Sequence, residues 1–74
     1  TSEGATIPLR LVRAETVTLE ISDVSGKRLW VNQLTLGPGA HLLDVPAAAL
    51  PLAGVYIWNL KAGALTSSGK LVKL

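Results

Sequence analysis

Apolar and polar side chains alternate along most of this chain with a period of two. Residues 16–23 are the clearest case: Val17, Leu19 and Ile21 fall on one side, Thr16, Thr18, Glu20 and Ser22 on the other. That pattern predicts a half-buried strand with a solvated outer face. Residues 6–13 group Ile7, Leu9 and Leu11. Pro8 cannot donate to a ladder, so this strand belongs at an edge or starts after it. Residues 27–34 are extended in character but less regular, with Leu29 and Val31 expected inward and Trp30 outward. Residues 41–45 read as a short strand with Leu43 and Val45 inward, ended by Pro46. Residues 54–61 are β-branched and aromatic and apolar on both faces, as a central strand requires. Residues 70–74 read as a last strand. The expected core is Val17, Leu19, Ile21, Leu43, Val45, Tyr56 and either Leu71 or Val72.

The segments between these runs carry turn chemistry. In Asp23-Val24-Ser25-Gly26-Lys27 the carboxylate can fold back onto the backbone and Gly26 supplies a positive φ, which predicts a hairpin turn at Asp23 and Gly26. Gly37-Pro38-Gly39, Gly63 and Thr66-Ser67-Ser68-Gly69 mark further turns. Residues 47–50 favour a helix, but Pro46 and Pro51 bracket them and leave room for one turn at most. About six short strands with no substantial helix indicate an all-β fold, an immunoglobulin-like β-sandwich with mainly antiparallel strands. Without cysteine, it is not of the antibody type.

Composition narrows the function. The chain has 74 residues, enough for one core and one domain spanning 1–74, with residues 1–5 as a linker remnant. At 49% hydrophobic and 16% charged residues it is no disordered tail. The lack of cysteine rules out a disulfide framework, a thiolate nucleophile and a cysteine zinc site. The net charge is only +2, and Arg10, Arg13, Lys27, Arg28, Lys61, Lys70 and Lys73 are scattered, so nothing suits a nucleic-acid backbone. The uncharged run 45–60 is too short to span a bilayer. The first residues do not resemble a signal peptide. A start at Thr1 rather than Met suggests a piece of a longer protein, whose export signal would lie elsewhere.

Candidate chemistry is sparse. His41 is the single histidine, and Asp44, three residues on, points to the opposite face of a strand. The carboxylates Glu3, Glu15, Glu20, Asp23 and Asp44 have no deep cleft to work in, and Ser25, Ser67 and Ser68 have no partnered base. No catalytic residue, cofactor, metal site or small-molecule substrate is expected, and the domain is read as no enzyme. Trp30 and Trp58 could stack on sugar rings. The plainer reading packs Trp58 in the core and puts Trp30 at an edge or contact.

The order of motifs adds a specific resemblance. Val17-Thr-Leu-Glu-Ile21-Ser-Asp23-Val-Ser-Gly26-Lys-Arg-Leu29 resembles the hairpin of the C-terminal sorting domains of the type IX secretion system. Gly39-Ala-His-Leu-Leu43-Asp-Val45, Leu52-Ala-Gly54-Val-Tyr56-Ile-Trp58 and Gly69-Lys70-Leu71-Val72-Lys73-Leu74 resemble that family's later strands, in the same order. Ile7-Pro8 stands where the family commonly has Asn-Pro. The resemblance covers residues 16–74 and implies a sandwich of about seven strands. It implies an address label, fused behind a cargo domain in Bacteroidota, that passes through the periplasm to the cell surface or outside. Its partners would be the outer-membrane translocon and a sortase-like peptidase that removes the label and attaches the cargo at the surface. It further implies recognition through Gly54, Tyr56, Lys70, Leu71, Val72, Lys73 and Leu74. The alternative is an accessory spacer or weak carbohydrate-binding module of a secreted enzyme.

Overall fold

The computed structural model describes residues 4–74; the carboxylate of Glu3 and the start of the expected linker lie outside them. Six strands follow one another: β1 (Ala5–Leu11), β2 (Glu15–Asp23), β3 (Arg28–Leu36), β4 (Gly39–Val45), β5 (Gly54–Ala62) and β6 (Leu65–Lys73). Ala5, assigned on sequence to the linker, instead opens β1 opposite Val45. One 3-10 turn, Ala47–Ala49, lies between β4 and β5, within the limit set by the two prolines.

All the pairings are antiparallel. One sheet has the order β3-β2-β5-β6 and the other contains β1 and β4. β5 lies inside its sheet, as its two apolar faces require, and among the described residues β1 is an edge strand, which tolerates Pro8. Ile7, Leu9 and Leu11 from β1 and Leu43 and Val45 from β4 meet Val17, Leu19, Ile21, Tyr56, Leu60 and Ala62 from the larger sheet in one core. Ala49 and Leu50 close one end of it. The molecule is therefore a small antiparallel β-sandwich. Of the two alternatives for β6, Leu71 packs against the core while Val72 is 51% exposed.

Two expectations are corrected. On β3 it is Trp30, not Val31, that shares the inner face: Trp30 pairs with Ile21, and Val31 pairs with Glu20 on the outside. The cause is a register shift between Ile21 and Ser22, where Leu29 is left without a partner; the extra residue reverses the alternation. Residues 66–69 form no turn but run through β6. The reversal lies two residues earlier, where Ala62 pairs with Leu65 across Gly63 and Ala64. Gly63 has φ 62° and no other residue of that turn has positive φ, as a type II′ hairpin requires of its first central position.

Candidate recognition surface

The hairpin of β5 and β6 gathers the residues to which the resemblance gives a role. Gly54 pairs with Lys73, Val55 with Val72, and Tyr56 with Leu71, all at the open end of the hairpin. Lys70 stands further along opposite Ile57, exposed on the outer face. Leu74 follows the strand, exposed.

Their environments divide them. Tyr56 is buried, and its hydroxyl is fully used by the loop before β5. It accepts the Leu52 N–H at 3.0 Å and donates to the Leu52 carbonyl at 2.5 Å. A tyrosine near the start of a strand, bonded to backbone a few residues upstream, is the tyrosine corner of immunoglobulin-like sandwiches. Gly54 has φ 145°, a left-handed value, with open space where a Cβ would stand. The requirement for glycine here therefore comes from the backbone conformation at the start of β5, not from close contact. The Lys73 ammonium donates to the Leu50 carbonyl. Two side chains from neighbouring strands thus hold the loop through its own backbone groups. Its apolar residues split, with Leu50 fully buried and Leu52 73% exposed.

Both tryptophans belong to the inner face. Ile21 lies between Trp30 on one side and Trp58 on the other, and Trp58 lies opposite Gly69. Both indoles pack against the core, half-buried. The sequence held no signal for this row, because it depends on the bulge in β3 and on the pairing of Trp58 with Gly69 across the β5–β6 hairpin.

The turn between β2 and β3 is built as its residues imply. One oxygen of Asp23 accepts the Ser25 N–H at 2.9 Å, the Ser25 hydroxyl at 2.5 Å and the Lys27 N–H at 3.0 Å, and Gly26 has φ 92°. The Ser25 hydroxyl above all, then the Lys27 N–H, holds the Asp23 carboxyl below the usual carboxylate range. Ser25 is thereby occupied in the turn.

The remaining polar candidates stay apart. The His41 ring nitrogen Nε2 lies 2.7 Å from the Gly37 carbonyl, closing the turn before β4. The open depression beside it, about 340 Å³, is lined by Pro8, Leu9, Arg10, Ala40, His41 and Leu42, with no carboxylate. Glu15 pairs with Arg13 at 3.1 Å and Glu20 lies 3.9 Å from Arg28, while Asp44 is exposed. Among the described residues no three His, Cys, Asp or Glu side chains converge on a point where a metal could sit. No family model, curated protein or solved structure matches the chain.

Proposed function

We propose that this domain is a sorting label of the type IX kind, which directs a fused cargo protein across the outer membrane. The observation that supports this reading is the pairing of Gly54, Val55 and Tyr56 with Lys73, Val72 and Leu71. The two stretches thereby lie side by side in one hairpin, with Tyr56 and Leu71 turned into the core and Lys70, Val72 and Leu74 exposed. A label needs a rigid fold and an accessible element rather than a catalytic group, and a strand at the sheet edge provides such an element. On this reading Tyr56 and Gly54 shape the loop, while Lys70, Val72 and Leu74 meet the translocon.

The test is to fuse the chain to a reporter behind a secretion signal, in a bacterium that carries the translocon, and to fractionate the cells. Surface or medium location of the reporter supports the label. Retention in the periplasm with the intact domain rejects it in favour of the spacer reading. Titration with polysaccharides, followed by tryptophan fluorescence, tests the carbohydrate alternative directly.

A further inference from the structure

We infer that the outer edge of β6 over residues 65–70 is a strand-addition site for an extended acidic segment of another protein. The inference does not depend on the sorting proposal. Among the described residues, β6 ends the four-stranded sheet, with β5 as its neighbouring strand. In a hairpin closed by a two-residue turn, the closing pair, here Ala62 and Leu65, exchanges both hydrogen bonds. By the same alternation Ser67 and Gly69 bond to β5, and the N–H and C=O groups of Thr66, Ser68 and Lys70 are directed away from it.

Two edges carry features that discourage pairing: β1 has Pro8 at its centre and β4 has Asp44 among its seven residues. β3 is bulged only at its start, and its edge over residues 30–36 carries no basic side chain that would select an acidic partner. The run 65–69 has no proline, no charge and an unbroken register, and its small Ser67, Ser68 and Gly69 allow close approach.

The side chains define the occupant. On the outer face Lys61 stands opposite Thr66, and Lys70 opposite Ile57. No acidic side chain follows Asp44 in the sequence, so this hairpin is purely basic. On the inner face are Leu65, 47% exposed, and Trp58 lying over Gly69. A strand laid along β6 therefore places alternate apolar residues beside Leu65 and Gly69, next to the Trp58 ring that covers Gly69, and the intervening acidic residues beside Thr66 and Lys70, with Lys61 one strand behind Thr66. A second copy of the chain would instead bring two basic hairpins together.

The experiment titrates the 74-residue chain with a capped seven-residue peptide of alternating valine and glutamate, following Trp58 emission in a Trp30→Phe background. Saturable binding with a shift in emission is expected. A valine–lysine peptide should bind at least about tenfold more weakly, one step on the affinity scale. Ser68→Pro removes an N–H directed away from β5, so the fold should persist while binding falls by at least about tenfold. Lys70→Glu leaves the backbone intact and should reverse the preference between the two peptides. Equal binding of both peptides, or undiminished binding by a folded Ser68→Pro chain, overturns the inference. So does dimerisation of the chain that Ser68→Pro abolishes. Because the assay uses no translocon, its outcome is separate from that of the reporter experiment.

Discussion

The indole of Trp58 fills the space that a side chain at Gly69 would need. A Cβ built on Gly69 would stand 2.7 Å from Cζ2 and Nε1 of the ring, closer than atoms pack. Glycine inside a strand ordinarily weakens it, but here the neighbouring strand supplies the missing apolar cover. Gly69→Ala must displace the ring, and the expected cost is about 1–3 kcal/mol, as for other overpacked sites. Urea unfolding measures it. In a Trp58→Leu background the same substitution should cost much less, and equal costs in both would show that the two residues do not interact.

Leu19 tests the core directly. It is 2% exposed, on the middle of β2 between β3 and β5. Leu19→Ala should lower stability by about 2–5 kcal/mol. For a domain with so little stability to lose, thermal melting should show a large drop or no folded state. An unchanged melting temperature would overturn the assigned strand phase.

The core was legible because β2 and β5 alternate or saturate with apolar residues and nothing interrupts them. What failed was local. The bulge at Leu29 inverted the phase of β3, and a bulge is a pairing event between two strands that neither sequence announces alone. The run Thr66-Ser67-Ser68-Gly69 has turn composition, yet it extends along β5 because Gly63 has already reversed the chain. In the β5–β6 hairpin, sequence pointed to Tyr56 and Lys73, but not to the backbone groups of Leu52 and Leu50 that they bind. Those partners are set by the fold at the end of the sandwich.

Tyr56→Phe isolates the corner hydroxyl. The ring stays, while the Leu52 N–H and C=O lose a partner in a partly buried position. The expected loss is about 1–2 kcal/mol, with faster hydrogen exchange of the loop preceding β5. Unchanged exchange at Leu52 would mean that the hydroxyl does not hold the loop.

Asp23 gives a pH dependence with a definite sign. Folding lowers the pKa of its carboxyl. The contribution is therefore fully present above the unfolded carboxyl value, about 4, and is lost as pH falls through the lower folded value. Asp23→Asn should flatten the acid limb of stability below about pH 4 while leaving its neutral region sloped as before. Denaturant midpoints collected across pH 2–7 test this, and identical acid limbs would assign the effect to other carboxylates.

Lys70 and Lys73 separate folding from recognition. Lys70 is solvated on the outer face, so Lys70→Ala should change stability by no more than about 0.5 kcal/mol. Lys73 is half-buried and donates to the Leu50 carbonyl. Lys73→Ala leaves that carbonyl without its charged donor, and the expected loss is about 1–2 kcal/mol. Equal stability of the two variants would show that the Lys73 contact contributes nothing in solution. The same pair then sharpens the sorting test. A reporter trapped by Lys73→Ala can reflect a loosened loop, whereas one trapped by Lys70→Ala, in a domain of parental stability, reports a lost contact with the export machinery. Normal export of Lys70→Ala would remove Lys70 from the recognition surface.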